Sequence, residues 1–260
     1  MHQMSKLISA ELRKTSKSKV IWITFIAFTI LPVIGSFFMF VLKHPNLAEN
    51  WGLIGEKAQL AGKADWPSYL GFLAQGISIG GIFVYGFMTS WIFGREYMDR
   101  TVKDLLALPF PRIYVPMAKF VVIFIWSFIV TIWIIGLGIF LGFIIGLGGW
   151  STEVWQHGIN VLIIASILTI ILSTPVAFFA CYGHGYLASI GFVIITIVMS
   201  QIIAAIGYGD YFPWAIPALF SNVSGEGNIL EPASVFIVLI TSLLGFFSTL
   251  SFWRFADQNV

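Results

Sequence analysis

Charged side chains are scarce in this sequence, and cysteine is almost absent. Only 10% of the 260 residues are Asp, Glu, Lys or Arg, whereas 58% are hydrophobic; an ordinary soluble domain is about 25% charged. A soluble fold could not bury that much apolar surface, so the composition excludes the soluble classes of protein. The single cysteine, Cys181, lies in an apolar run, which excludes a disulfide framework and a thiolate metal cluster.

Six apolar stretches are long enough to cross the hydrocarbon core of a bilayer, which is about 30 Å thick and needs about 20 helical residues. Backbone groups in lipid must satisfy their own hydrogen bonds, and the stretches do not alternate with period two, so helices are predicted. The fold class is therefore an all-α, polytopic integral membrane protein, with one transmembrane domain over 1–260. The predicted spans are 20–42, 69–93, 120–149, 159–181, 187–206 and 234–252.

Lys and Arg are unevenly distributed between the two sides of these spans. If the N-terminus is inside, eleven of the fourteen basic residues lie on the cytoplasmic side and three lie outside. The positive-inside rule then predicts cytoplasmic N- and C-termini in a multi-pass protein, and the expected location is a bacterial plasma membrane. No Asp, Glu, Lys or Arg falls within the predicted spans. This argues against an ion-coupled carrier and favours an external energy source and an amphipathic cargo.

Two segments outside the spans are predicted to lie at the membrane surface. Residues 2–19 are basic, with apolar residues at helical spacing, and predict an amphipathic helix on the inner leaflet; a solvated tail is the alternative. Residues 207–233 are predicted to fold back into the outer interface. Pro213 and Pro217 interrupt regular structure in this extracellular segment, and Phe212, Trp214 and Phe220 are candidate interfacial anchors.

The cytoplasmic loop 94–119 contains a short helix, predicted over 101–108. Thr101 and Asp104 form a capping-box-like start, with Asp in place of the usual Glu or Gln, and Pro109 ends the helix. Val102, Leu105 and Leu106 share one face. That apolar face fits either lipid headgroups or a groove on a partner protein, and the pattern alone does not decide between them.

This loop resembles the loop between spans two and three of type-2 permeases of ATP-binding-cassette (ABC) exporters. Their pattern is an acidic residue, then Thr-x-x-x-Leu-Leu, a Pro, a basic residue and a Lys that opens span three. The matching positions are Glu96, Thr101, Leu105, Leu106, Pro109, Arg112 and Lys119. Glu11-Leu-Arg-Lys14 and Phe212-Pro-Trp-Ala-Ile-Pro217 also resemble the family. Within it, the chain looks most similar to permeases for bacitracin and lantibiotic self-protection.

The resemblance implies an exporter in which two permease subunits, identical or different, pair and bind two separate ABC ATPase subunits. ATP and magnesium are then bound by the ATPases, and this chain needs no cofactor. The implied ATPase-coupling residues are Arg95, Glu96, Arg100, Thr101, Val102, Asp104, Leu105, Leu106, Pro109 and Arg112. The implied extracellular gate is Phe212, Pro213, Trp214, Pro217 and Phe220. The expected cargo is an amphipathic compound such as a peptide antibiotic, and its export would confer antibiotic resistance. A sodium ion or a lipid-linked molecule is the alternative cargo.

An enzyme is the alternative from a different class. Gly76-Ile-Ser78-Ile-Gly80 matches the pattern of a nucleophile elbow, as an intramembrane serine hydrolase would require. The elbow needs a strand-to-helix turn, whereas this stretch lies inside a predicted span. At 1.5 Å per helical residue, His184 is more than about 15 Å away along the membrane normal. We therefore predict no catalytic residue, no metal site and no enzymatic activity.

Overall fold

The computed structural model describes residues 2–44, 63–107, 109, 111–221 and 230–255. Ten α-helices lie within these ranges, together with a 3-10 turn at Gly209–Tyr211. They are α1 (His2–Ser16), α2 (Lys19–Lys43), α3 (Trp66–Met98), α4 (Val102–Leu106), α5 (Tyr114–Ile145), α6 (Thr152–Ile171), α7 (Thr174–Tyr182), α8 (Tyr186–Ala205), α9 (Ile216–Phe220) and α10 (Pro232–Phe255). Within the described ranges, the extended pairing is a single isolated bridge between Asp65 and Gly148.

Six helical segments are long and apolar enough to cross a membrane. They are α2, α3, α5, the pair α6–α7 over Thr152–Tyr182, α8 and α10. This confirms the predicted all-α fold with six spans. The helices extend beyond the predicted spans, and in α3 and α5 the added turns contain buried charged residues. Arg95 and Glu96 are in the last turns of α3, and Lys119 is in the second turn of α5.

Short polar side chains and glycine fix several helix ends. Asp65 accepts a hydrogen bond from the backbone N–H of Ser68 (3.0 Å), and Ser151 accepts one from that of Val154 (3.2 Å), so both act as N-caps. Helix α5 ends at Ile145 because Gly146 adopts the left-handed conformation (φ 66°) that closes a helix. The ammonium group of Lys43 donates to the carbonyls of Ile145 (2.6 Å) and Gly146 (2.7 Å), which are left free at that end.

Helix α3 is the centre of the bundle and packs against α2, α5, α6, α7, α8 and α9. Close approach depends on small residues in its neighbours. A Cβ at Gly138 would lie 2.6 Å from the side chain of Leu73, and one at Gly142 would lie 2.7 Å from that of Trp66. The small residues of the third span therefore serve packing within the chain, as they do where helices associate in lipid.

The fourth span is divided into α6 and α7 by a turn at Leu172 and Ser173. Pro175 has no N–H to donate to the carbonyl of Ile171, so the helical ladder breaks there. The hydroxyl of Thr174 lies 2.9 Å from that carbonyl and 2.7 Å from the carbonyl of Ser242 in α10. Side-chain hydroxyls thus supply the hydrogen bonds that lipid cannot.

The bundle has two chemically different ends. The end that we call the basic end is formed by α1, α4, the end of α3 and the beginning of α5, together with the turn between α7 and α8. The opposite end is formed by the end of α2, the beginning of α3, the 3-10 turn and α9. The predicted coupling segment (the described residues of 100–112) lies at the basic end, and the predicted gate segment (212–220) lies at the opposite end.

Candidate functional site

The short helix of the coupling segment begins differently from the sequence prediction. It spans Val102–Leu106, and Thr101 makes no side-chain capping bond, so the predicted capping box with Asp104 is wrong. The hydroxyl of Thr101 instead donates to Glu96 Oε2, and its backbone N–H donates to the carbonyl of Glu96 (2.9 Å). The first turn is thus fixed to the end of α3. Leu108, in the predicted helix 101–108, lies outside the described residues.

The apolar face of α4 is directed mainly into this chain. Val102 is only 2% exposed, and Leu105 and Leu106 pack half-buried against the same core as Phe93 and Phe120. The expectation that Val102 enters a partner's groove is therefore corrected. The charged residues of the segment lie on its outward surface. Its exposed residues include Arg100, Lys103, Asp104, Pro109 and Arg112.

Arg95 and Glu96 were also expected at the docking surface, but both are buried, with Glu96 0% exposed. Glu96 Oε1 lies 2.8 Å from the ammonium group of Lys119 in α5, and 2.6 Å from that of Lys14 in α1. Its other oxygen accepts the Thr101 hydroxyl. One carboxylate therefore joins α3, α5, α1 and the coupling segment, and its role is positioning within the chain.

A second carboxylate completes this charge cluster, which comprises Glu11, Lys14, Arg95, Glu96 and Lys119. Glu11 of α1 lies 2.9 Å from the Arg95 guanidinium and 3.3 Å from the Lys119 ammonium group. Lys119 also donates to the carbonyl of Ile92 (3.1 Å). Removing one partner of a buried ion pair costs about 3–5 kcal/mol, because the remaining charge is left unpaired. The cluster therefore fixes one arrangement of α1, α3 and α5.

The cluster was only partly visible in the sequence. Glu11, Lys14 and Lys119 match positions of the family pattern, but the pattern does not show which residues they contact. One signal was available from the pattern alone. Glu11 follows Leu7 and Ile8 at helical spacing, so it lies on the apolar face of α1, and a carboxylate on an apolar face indicates a buried partner. The identity of the partners could not be read, because they lie 84 and 108 residues away along the chain.

The predicted gate segment folds back into the opposite end of the bundle, and most of its side chains are inside it. Pro217 is buried, and Trp214 (9% exposed) packs with Phe192 at a ring-centroid distance of 5.4 Å. Phe220 (8% exposed) belongs to the core around Trp66. Trp214 and Phe220 are therefore core residues and not interfacial anchors. Phe212 and Pro213 are half-buried at its edge, and 222–229 lie outside the described residues.

Ser78, the candidate nucleophile of the alternative hypothesis, holds this segment in place. Its side chain is fully buried, and its hydroxyl lies within hydrogen-bond distance of the carbonyls of Ala74 (2.9 Å) and Pro217 (3.0 Å). These contacts give Ser78 a structural role between α3 and α9. Among the described residues, no group of three or more His, Cys, Asp or Glu side chains could hold a metal ion.

Comparison with known proteins identifies the family. The model of the ABC-2 family transporter proteins matches residues 7–200 of this chain, a range that contains the charge cluster and the coupling segment. The chain is also 28% identical over 177 residues to the bacitracin transport permease protein BCRB of Bacillus licheniformis. That match covers 68% of this chain and 85% of the relative. The chain therefore belongs to the ABC-2 family of transporter proteins, as a membrane subunit of an ABC transporter.

Proposed function

We propose that this chain is the permease subunit of an ATP-driven exporter that moves an amphipathic compound, such as a peptide antibiotic, out of the cell or its membrane. ATP and magnesium bind to two copies of a separate ABC ATPase, and two permease subunits form the pathway. The observation that carries this proposal is the Glu96-centred cluster. It connects the coupling segment to α1 and α5, so a displacement of that segment reaches α1 and the two spans α3 and α5.

The surface that meets the ATPase is the polar face of the coupling segment. Lys103, Asp104 and Arg112 are exposed on it and present both charge signs. Exposed charges of this kind determine orientation and partner choice more than affinity. Half-buried Leu105 and Leu106 border the face and add a smaller apolar contact, while Val102 holds the segment to the bundle.

The proposed orientation places the basic end in the cytoplasm, and with it both termini, in a bacterial plasma membrane. The distribution of Lys and Arg supports this assignment. The stretch from the end of α3 to the start of α5 contains Arg95, Arg100, Lys103, Arg112 and Lys119. The opposite end, with α9 folded into the bundle, then faces the outside and closes the export pathway there.

The cargo proposal rests on the relative, whose name states that it transports bacitracin. An apolar bundle fits an amphipathic cargo, and the buried charged residues of its spanning helices, Arg95, Glu96 and Lys119, are at the basic end and are all in ion pairs. The same architecture with a sodium ion or a lipid-linked molecule as cargo is the second candidate. The hydrolase alternative is disfavoured, because the hydroxyl of Ser78, its candidate nucleophile, already bonds to two backbone carbonyls and has a structural role.

Charge reversal on the exposed face tests the proposal. The ABC ATPase that co-purifies with the tagged wild-type chain from its native membrane would be quantified for Lys103→Glu combined with Arg112→Glu. We expect normal membrane insertion with loss of ATPase recovery and of resistance to the cargo. The matched control is Lys63→Glu, an exposed lysine at the opposite end. Wild-type ATPase recovery by the double variant would refute the docking surface, and a wild-type chain that recovers no ABC ATPase would refute the proposed function.

A further inference from the structure

The outward face of α1 carries cations and no carboxylate. Lys6 and Arg13 are exposed and lie seven residues apart on one side of α1, and exposed Lys17 follows in the turn directly after the helix, so the three form one basic stripe. An open groove runs beside this stripe. The residues that line it are Ser5, Lys6, Ser9, Ala10 and Arg13. The stripe therefore combines two positive side chains with a serine hydroxyl around one depression, an arrangement that suits a phosphate group.

The charge of the stripe is not compensated within the described part of the chain. Glu11 is the only acid in α1, and it lies on the opposite face, where Arg95 and Lys119 engage it. Lys14, at the border of that face, is paired with Glu96. Lys6, Arg13 and Lys17 form no ion pair with any described residue.

The position of α1 keeps the stripe at the surface of the membrane. Only Lys17 and Ser18 separate α1 from α2, and Ser18 caps the first turn of that span. The face of α1 opposite to the stripe is held by α5 and by the charge cluster. Partly exposed Leu7 and Ile8 flank the buried face. The helix therefore has apolar residues at the border of its buried face and basic residues on its outward face, as helices at the headgroup boundary do.

We propose that the stripe Lys6–Arg13–Lys17 binds the phosphate headgroups of anionic phospholipids, with Ser9 as a further donor. The proposal rests on the cytoplasmic orientation given above, because the cytoplasmic leaflet carries the anionic lipids. A basic residue near such a surface strengthens binding about fivefold. The half-exposed apolar edges of α1 favour a lipid surface over an acidic protein surface, which has no acyl region to receive them. Bound headgroups hold α1, and through Glu11 and Lys14 they stabilise the charge cluster.

Lipid selectivity of the purified permease, without ATPase, tests this inference. Spin-labelled phosphatidylglycerol and phosphatidylcholine would be compared in phosphatidylcholine vesicles that contain the full chain, and the immobilised fraction gives the relative affinity. We expect wild type to prefer phosphatidylglycerol, and the variant Lys6→Gln, Arg13→Gln, Lys17→Gln to lose at least fivefold of that preference. The matched control, Arg100→Gln, Lys103→Gln, Arg112→Gln, removes three exposed cations from the same end and should retain it.

Two outcomes would overturn the inference. A control that loses the preference to the same extent would show a general effect of positive charge. A stripe variant with unchanged preference would show that the stripe does not bind lipid, and if it also lost ATPase recovery, the surface would belong to the ATPase. Because the lipid measurement contains no ATPase, its failure is distinct from a failure of the proposed function, which appears in the wild-type pull-down.

Discussion

The ammonium group of Lys119 lies 2.8 Å from Glu96 Oε1, and neither side chain is exposed to solvent. A pair in this position is sensitive to the loss of either member, since the remaining charge stays buried. Lys119→Met should destabilise the detergent-solubilised chain by about 3–5 kcal/mol, measured by thermal unfolding. Lys119→Met combined with Glu96→Gln should cost less than the sum of the two single changes. Strict additivity would show that the two charges do not depend on each other.

Thr101 tests the connection between the charge cluster and the coupling segment. Thr101→Val removes the hydroxyl that donates to Glu96 but keeps the shape of the side chain. Loss of one hydrogen bond to a charged group costs about 1.5–3 kcal/mol, which should loosen the segment without removing its exposed face. We expect ATPase recovery to persist while transport falls. Thr101→Ser, which keeps the hydroxyl, should restore transport, and equal transport by both variants would contradict this role.

The buried position of Trp214 predicts a stability defect in place of a gating defect. Trp214→Ala should cost about 3–5 kcal/mol, and Trp214→Asp should cost more, because an unpaired carboxylate would enter the core. The control is Tyr211→Ala, since Tyr211 is 67% exposed in the same segment and should shift stability by less than about 0.5 kcal/mol. A Trp214→Asp chain with wild-type thermal stability and no export would restore the interpretation of Trp214 as a gate residue.

Gly245 marks the closest helix crossing at the broken span. A Cβ at this position would lie 2.4 Å from the backbone nitrogen of Pro175, and backbone cannot move aside as a flexible side chain can. Gly245→Ala should therefore separate α10 from α7, at a cost of about 1–3 kcal/mol. Gly136→Ala is the control, because nothing lies within 4 Å of its Cβ, and alanine there should be neutral or stabilising. Similar unfolding temperatures for both variants would contradict the close crossing.

Membrane-impermeant thiol labelling tests the orientation. In a Cys181→Ser background, single cysteines at Trp150 (50% exposed) and Tyr208 (64% exposed) should react from outside in intact cells. Cysteines at Lys103 and at Tyr182 (65% exposed) should react only after the membrane is opened. Labelling of the position-103 variant in intact cells would invert the orientation and remove the basis for cytoplasmic coupling.

The sequence predicted the number of spans and the fold class because membrane insertion depends on local hydrophobicity, which is readable residue by residue. It did not predict which face of a short helix is buried. The pattern Val102, Leu105, Leu106 specifies an apolar face, but a face packed on its own chain and one packed on a partner have the same periodicity. Trp214 presents the same ambiguity, because an aromatic residue beside prolines fits both the interface and a core.

The charge cluster escaped prediction for a different reason. Each of its residues lies close to a predicted membrane boundary, where Lys and Arg are common and need no special explanation. Only the fold shows that Glu11, Glu96 and Lys119 converge. Pairings between such distant positions depend on how whole helices pack, which the spacing of residues within one helix does not specify.

The turn at Leu172 and Ser173 divides the fourth span into two helices, α6 and α7, whose sets of neighbouring helices differ. Both halves pack against α3, but α6 also contacts α9, whereas α7 also contacts α10 and α8. The Thr174 hydroxyl already donates to the carbonyl of Ile171, which Pro175 leaves without an N–H donor. A change in the angle between α6 and α7 therefore does not require a new hydrogen-bond donor for that carbonyl in lipid. Motion that begins at the basic end can therefore change the angle of α7 and α10 while α6 keeps its position. The two ends of the bundle need not move as one rigid body.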